Sequence, residues 1–249
     1  SRANRLAIVL NRYEAFSMVG TADPSEVAKR LMHREHAEVV VLKMGGQGAF
    51  VAWPGGTAIV PVYRTEYVWK IGSGDVFSAT FAALWGAQGI KPVDAADLAS
   101  RATAVYCDKR LLPVPVPSDL AALSYQPAPP GKGLIYLAGP FFDLAQRWLI
   151  EEPRAVLLDM GAEIFSPVHA VGPGPGKIVA PADIKGLEAS KVVFAILNGM
   201  DPGTLFEVGY AVKLGIPVVA FAENIKAEDL KMIVGTGCEV VDDYTSAIY

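Results

Sequence analysis

The sequence predicts an α/β protein of two domains, of which the second is a doubly wound parallel sheet of five strands. In the second half, short apolar runs alternate with helical patterns, and this alternation is typical of such a sheet. Two proline-rich segments, 112–118 and 126–133, have little capacity for regular structure and favour a boundary in the middle of the chain. We therefore expect a first domain over 1–111, a semi-rigid linker over 112–132 and a second domain over 133–249.

The individual elements follow from apolar periodicity and from turn and cap residues. In the first half, two apolar runs flank a Gly-rich turn and predict a β-hairpin, and Asp23 or Ser25 marks the start of an amphipathic helix. The predicted strands of the first half span 6–10, 39–42, 49–53 and 57–62. One helix is expected to begin at 11, and three others to span 24–32, 76–85 and 95–107. The predicted strands of the second half span 134–137, 163–165, 192–197, 218–221 and 239–241, and a helix is expected at 208–214. A short helix is expected within the linker, at 118–123.

Composition and charge exclude several classes of function. Hydrophobic residues make up 52 % of the 249 residues and charged residues 19 %, so a sizeable core is expected and disorder is not. The net charge of −4, without a basic block, argues against nucleic acid or an anionic membrane as a partner. Cys107 and Cys238 lack metal-ligand spacing, and no signal peptide or bilayer-length apolar run is present. These features predict a cytoplasmic protein with reduced thiols and neither metal nor cofactor.

Two carboxylates, Asp201 and Glu207, flank a predicted strand-to-helix turn in the second half. In open α/β sheets the ligand crevice lies at the carboxyl ends of the strands, so these residues are candidates for a site. The alternative is structural: Thr204 and Glu207 have the spacing of a capping box, in which both side chains satisfy free helix amides.

Five segments of the second half, taken in order and spacing, resemble the nucleoside 2-deoxyribosyltransferase family. They are 135–142, 165–169, Asp183, 201–211 and 215–220. The resemblance covers about residues 133–249 and implies a flavodoxin- or Rossmann-like fold. It also implies a small-molecule nucleoside or nucleotide as substrate and a homo-oligomer, at least a dimer, because in the family a neighbouring subunit's C-terminal segment completes the pocket.

The chemistry of N-glycosidic cleavage gives the matched residues their implied roles. Positive charge builds at the anomeric carbon, where a carboxylate can capture it, and an acid can protonate the departing base. By resemblance, Glu207 is the nucleophile, Asp201 and Asp183 contact the substrate and assist the base, and the Tyr136 hydroxyl holds the nucleophile. The other implied substrate-binding residues are Phe141 and Phe142 beside the base, Gly139, Gly203, and His169 in a loop that lines the pocket.

Each of these residues also has a structural explanation. Asp183 has the position of an N-cap for a helix over 184–189. Tyr136, Phe141 and Phe142 fit a hydrophobic core, and His169 fits a surface loop. The family's subunit-bridging Asn beside Leu-Met has its nearest counterpart here in 229–232, which begins with Asp229 instead.

In the first half, Gly72, Ser73, Gly74 and Asp75 open a predicted helix. Helix amides beside glycines form an anion site, and an Asp there can accept a proton from a hydroxyl that attacks phosphate. The alternative is an ordinary Asp at a helix start, favoured by the helix dipole.

Three segments around this motif, 11–14, 41–48 and 71–77, look like the C-terminal portion of the ribokinase-like (PfkB) sugar kinases, over about residues 5–110. The resemblance implies that Asp75 is the catalytic base and that 72–74 form the anion hole. The family's N-terminal portion has no counterpart, Lys43 replaces a frequent Thr, and Trp69-Lys70 replaces Asp-Thr. Because phosphoryl transfer depends on orientation, we expect no sugar kinase activity from this chain alone.

The sequence therefore favours a nucleoside 2-deoxyribosyltransferase-like enzyme that transfers the sugar to another base. A nucleoside or nucleotide N-glycoside hydrolase stays open as an alternative, as does a kinase fragment or a non-catalytic nucleotide-binding module. The kinase-like part is expected to bind nucleotide weakly, to serve as an oligomerisation surface or to need a missing segment.

Overall fold

The computed structural model describes residues 5–128 and 131–249, and the chain divides into two compact units between Pro130 and Gly131. The strands of the first unit are β1 (Ala7–Asn11), β2 (Val39–Lys43), β3 (Ala49–Trp53), β4 (Gly56–Val60), β5 (Val62–Tyr63) and β6 (Pro127–Ala128). Its helices are α1 (Arg12–Val19), α2 (Pro24–Glu35), α3 (Ser73–Phe81), α4 (Pro92–Lys109) and α5 (Pro117–Ala122).

The main sheet of the first unit has the order β1-β2-β3-β4, with β1 parallel to β2 and the other neighbours antiparallel. Valines of β2 and β3 bury one face against α3 and α4, where Phe81 is fully buried. The other face packs on α2 through Leu31. α2 begins where predicted, because Asp23 accepts a hydrogen bond from the Glu26 amide and Pro24 fixes the first turn.

Much of the segment predicted as a linker is packed onto the first unit. The helix expected at 118–123 is present as α5, and Leu120 on it is 1 % exposed among side chains of α4. β6 pairs antiparallel with β5, and the Arg101 guanidinium donates to the Leu123 carbonyl at 3.1 Å. The burial of this apolar side chain therefore outweighs the low structural propensity of the proline-rich flanks.

The second unit alternates strands and helices along its whole length. Its strands are β7 (Leu134–Ala138), β8 (Glu163–Phe165), β9 (Val192–Ile196), β10 (Val218–Phe221) and β11 (Glu239–Val241). Its helices are α6 (Leu144–Asp159), α7 (Pro167–Ala170), α8 (Gly176–Ala189), α9 (Pro202–Leu214), α10 (Lys231–Gly235) and α11 (Tyr244–Ile248). The sheet order is β11-β10-β9-β7-β8, and every neighbouring pair is parallel. The predicted five-stranded parallel sheet and the α/β class are confirmed.

This strand order is the flavodoxin-like one, in which the order reverses between the first and third strands of the unit, β7 and β9. Both faces of the sheet are buried: Tyr136, Leu187 and Val208 lie in the core on one side, and Ile150 and Phe194 in the core on the other. A doubly wound sheet binds its ligands beyond the carboxyl ends of the strands at the reversal. The fold therefore predicts a ligand-binding site at the carboxyl ends of β7 and β9.

Two helix starts near the predicted site residues differ from the prediction. α9 begins at Pro202 rather than at 208, because Asp201 caps it and proline is well suited to the first helical position. α8 begins at Gly176, so Asp183 lies inside a helix and does not cap one. Within the part of the chain that the structure describes, no helix is long and apolar enough to cross a membrane.

Candidate active site

Tyr136 and Glu207 meet at the strand-order reversal of the second unit. Tyr136 lies on β7 and is fully buried, while Glu207 lies in the second turn of α9. The Tyr136 hydroxyl donates a hydrogen bond to Glu207 Oε1 at 2.6 Å. A bond this short is typical of a hydroxyl that donates to a carboxylate.

The surroundings of Glu207 oppose its ionisation. Burial raises the pKa of its carboxyl to about 7, and the nearby carboxylates of Asp183 and Asp201 add to the increase. The hydrogen bond from Tyr136 acts in the opposite direction because it stabilises the ionised form. The pKa of the Tyr136 phenol is raised as well, by burial and by the charge of Glu207. A carboxyl with a strongly shifted pKa at a ligand-binding edge is a candidate catalytic group.

Asp183 lies in the middle of α8 and faces the same pair of residues. Burial raises the pKa of its carboxyl. Its Oδ1 atom is buried and accepts no hydrogen bond from any residue that the structure describes. A buried carboxylate oxygen without a donor is costly, which is common where a ligand supplies the missing partner.

Asp201 is the N-cap of α9. Its Oδ2 atom accepts hydrogen bonds from the Thr204 amide at 2.8 Å and the Thr204 hydroxyl at 3.0 Å. The capping box considered for Thr204 and Glu207 is therefore wrong, since Thr204 is a donor in the first turn and Glu207 faces Tyr136. Gly203 lies in the same turn, and a Cβ there would be 3.0 Å from Asp201 Oδ2.

The connection from β7 to α6 carries the two predicted aromatic residues. The rings of Phe141 and Phe142 stack with centroids 5.2 Å apart, and Phe142 is 67 % exposed. Gln146 fixes this connection because its side-chain oxygen accepts from the amides of Phe142 and Asp143. Gly139 precedes the connection, and a Cβ there would lie 2.7 Å from Ile150 Cδ1, so close packing explains the glycine.

The imidazole of His169 interacts with Ser166 and Glu151. It lies on the short helix α7 rather than in a loop, with Nδ1 3.0 Å from Ser166 Oγ and Nε2 2.8 Å from Glu151 Oε1. The hydrogen bonds of its ring thus connect α7 to α6. Its implied place in the base pocket remains a prediction.

Two features near the site had not been predicted. Phe165, at the end of β8, stacks on Tyr136 with ring centroids 5.5 Å apart and an angle of 15° between the planes. Asn198 follows β9 and accepts a hydrogen bond from the Glu223 amide at 3.2 Å, which links the ends of β9 and β10. The register that places Phe165 beside Tyr136 has no local sequence signal.

In the first unit, Gly72 is the N-cap of α3, with φ of 82°, and Ser73, Gly74 and Asp75 form the first turn. The Ser73 amide donates to the Lys70 carbonyl at 3.1 Å, and the Asp75 amide donates to the Gly72 carbonyl at 3.1 Å. Two backbone amides of the motif, those of Ser73 and Asp75, therefore already donate to carbonyls of the same turn. Asp75 is exposed to solvent.

Lys43 lies beside this turn. Its ammonium donates to the Gly74 carbonyl and to the Ser78 hydroxyl, both at 3.1 Å. The side chain that replaces the family's frequent Thr is therefore tied to the start of α3. A cation is unfavourable near a helix N-terminus unless it finds such acceptors or an anion.

Comparison with known families agrees with this division of the chain. Residues 135–242 match the family model described as nucleoside 2-deoxyribosyltransferase, and residues 6–118 match that of the pfkB family carbohydrate kinases. Both resemblances are thereby confirmed. The chain contains a nucleoside 2-deoxyribosyltransferase-like domain and a PfkB domain, the latter in the ribokinase-like first unit.

Individual relatives match one half or the other. A 2-dehydro-3-deoxygluconokinase of Thermoproteus tenax is 32 % identical over 103 residues, and the match covers 39 % of this chain but only 31 % of that kinase. The structure of a 2-deoxyribosyltransferase from Bacillus psychrosaccharolyticus is 29 % identical, with 45 % of this chain and 88 % of that chain covered and a TM-score of 0.40. A ribokinase structure from Thermotoga maritima is 18 % identical, with 47 % and 41 % covered and a TM-score of 0.40.

Proposed function

We propose that the second unit cleaves the N-glycosidic bond of (deoxy)nucleosides through Glu207 and transfers the sugar to another base. The observation that supports it most is the partly buried hydrogen bond from Tyr136 to Glu207 at the strand-order reversal. The match of residues 135–242 to the deoxyribosyltransferase model supports the choice of reaction.

In the first step, an ionised Glu207 oxygen attacks the anomeric carbon. The carbon–nitrogen bond breaks, its electron pair goes to the base, and a glycosyl ester forms on Glu207. Asp183, whose pKa is raised by burial, supplies a proton to the departing base. Asp201 holds the start of α9 and contributes its negative charge beside the developing cation.

In the second step, a nitrogen of an acceptor base attacks the anomeric carbon and Glu207 leaves as a carboxylate. The acceptor loses a proton, which returns to Asp183. The hydrogen bond from Tyr136 stabilises the carboxylate that is released, which favours this step. In the hydrolytic alternative, water takes the place of the acceptor base.

The test is to incubate the full-length chain with a deoxynucleoside, with and without a second base, and to separate the products by chromatography. A new nucleoside that forms only with the acceptor supports transfer, whereas free sugar and base without an acceptor support hydrolysis. Glu207→Gln should abolish both, because an amide is a poor nucleophile. If Glu207→Gln retains a rate near the parent's, the mechanism is wrong.

We also propose that the first unit is not a sugar kinase by itself. The chain spans 31 % of the length of the curated kinase that it matches. The engaged amides of Ser73 and Asp75, and Lys43 at the start of α3, support this proposal. Sugar-dependent ATP turnover by this chain alone would contradict it.

We propose further that the second unit assembles at least as a dimer. Large apolar side chains around the start of α6 are uncovered: Leu144 is 83 % exposed, Phe142 67 % and Trp148 58 %. Such a group of side chains commonly marks a contact surface. Leu144→Glu should lower the mass measured by light scattering, while Leu214→Glu, at the end of α9, should not.

A further inference from the structure

The phenol ring of Tyr136 lies against the ring of Phe165. The two residues are partners in the parallel register of β7 and β8, so their side chains leave the same face of the sheet. Their rings stack at 5.5 Å, and Tyr136 is fully buried. Since the hydroxyl of this ring reaches Glu207, the orientation of Phe165 limits where that hydroxyl can point.

Phe165 in turn lies against Gly186 of α8. A Cβ at Gly186 would be 2.4 Å from the Cε1 and Cζ atoms of the Phe165 ring, closer than any van der Waals contact. Gly186 is buried inside a helix, where alanine is intrinsically the better residue. Close approach of the Phe165 ring therefore explains why a glycine occupies this position.

We propose that Phe165 and Gly186 are positioning residues for the Tyr136–Glu207 pair. The Phe165 ring, held against Gly186, keeps the phenol directed at Glu207 Oε1 and closes that side of the carboxyl to water. In this proposal both residues act through Tyr136 and not directly on the substrate. The inference rests on the proposed function only in taking Glu207 as the reacting group.

Burial and the hydrogen bond from Tyr136 change the pKa of Glu207 in opposite directions, and each variant weakens a different one of the two. The charged or titratable groups that act on it are Tyr136 from β7, Asp183 from α8 and Asp201 from the start of α9. Phe165→Leu opens the apolar side and admits water, so the larger effect, burial, weakens and the pKa of Glu207 falls. Gly186→Ala keeps the site closed but displaces the Phe165 ring and with it the phenol, so the hydrogen bond weakens and the pKa rises.

The experiment is a direct titration of Glu207 in the full-length chain. The protein is labelled with ¹³C at the glutamate carboxyl, and the Glu207 resonance is assigned as the one missing from Glu207→Gln. Matched controls are Phe221→Leu, a buried phenylalanine in the core of the opposite face, and Gly209→Ala, a helical glycine whose Cβ would meet nothing within 4 Å.

We expect the midpoint of the Glu207 titration to fall by about one pH unit in Phe165→Leu, a typical size for a partial loss of burial. It should rise in Gly186→Ala and stay unchanged in both controls. Gly186→Ala should also lower the yield of soluble protein, because its methyl group collides with the Phe165 ring. Adding Phe165→Leu to this variant should restore the yield, because the smaller side chain makes room for the methyl group. Unchanged midpoints in Phe165→Leu, or equal shifts in the controls, would overturn the inference.

The titration distinguishes a failure of this inference from a failure of the proposed function. If the midpoints shift as expected while the parent cleaves no nucleoside, the proposed function fails and the positioning role stands. If the parent cleaves nucleosides and the midpoints do not move, the positioning role alone fails. In an active enzyme, Phe165→Leu should lower kcat and move its pH profile with little change in KM, because in this proposal Phe165 acts through Tyr136.

Discussion

The hydroxyl of Tyr136 lies 2.6 Å from Glu207 Oε1, although the two residues are 71 positions apart in the sequence. The bond ties the first strand of the second unit to the helix that follows its third strand. It therefore depends on the same strand order that creates the ligand crevice. The candidate site therefore requires the native strand order of the sheet.

Tyr136→Phe tests this bond directly. Without the hydroxyl, burial and the carboxylates of Asp183 and Asp201 act unopposed, so the pKa of Glu207 rises above about 7. A hydrogen bond to a charged group contributes about 1.5–3 kcal/mol, which corresponds to roughly one to two pKa units. The acid limb of the kcat/KM profile should move to higher pH by that amount. A uniform loss of rate at every pH would show that the hydroxyl does not control ionisation.

Glu207→Gln has a predicted effect on the pH dependence of stability. The raised pKa means that the folded protein prefers protonated Glu207, a contribution that is fully present below the ordinary value of 4.5 and is lost as pH rises through about 7. Glutamine does not ionise, so the Gln variant does not lose this contribution to the unfolding free energy as pH rises. From pH 4 to pH 8, the variant should therefore gain on the order of 3 kcal/mol in unfolding free energy relative to the parent.

Urea unfolding of the second unit, followed at several pH values in both proteins, measures this difference. Glu223→Gln is a suitable control, since Glu223 is exposed. A difference between parent and Glu207→Gln that stays constant from pH 4 to pH 8 would contradict the raised pKa.

Most strands of the second unit could be predicted because continuous apolar runs between turn residues are typical of buried parallel strands. β8, β10 and β11 have the predicted bounds. The start of α9 was missed although Asp201 followed by Pro202 is a typical helix start. That error also produced the wrong capping box at Thr204.

Fewer features of the candidate site than of the strands could be predicted from the sequence. The pairing of Tyr136 with Glu207 was implied by family resemblance and not by local pattern, because it depends on strand order. The stacking of Phe165 on Tyr136 depends on the register of β8 against β7, which neighbouring residues do not specify. Long-range contacts of this kind carry no periodic signal.

Gly72→Ala should destabilise the first unit. Gly72 has φ of 82°, and a Cβ there would lie 2.8 Å from the Tyr106 hydroxyl, which donates to the Ile71 carbonyl. Backbone strain together with this contact should lower the unfolding free energy by about 1–3 kcal/mol. Gly86→Ala is the matched control, since its Cβ would meet nothing within 4 Å. Thermal unfolding should separate the two, and equal melting temperatures would contradict the strained turn.

Asp201 has both a structural and a catalytic role in our proposal, and two substitutions separate them. Asp201→Ala removes the cap of α9 and should lower the unfolding free energy by about 1 kcal/mol. Asp201→Asn retains a side-chain oxygen for the Thr204 amide, so its stability should stay close to the parent's.

Both substitutions of Asp201 remove the charge that raises the pKa of Glu207, so the acid limb of the pH–rate profile should move to lower pH in both variants. Melting curves and cleavage rates of the two variants give the comparison. An Asp201→Asn variant with the parent's rate and pH profile would reduce Asp201 to a helix cap.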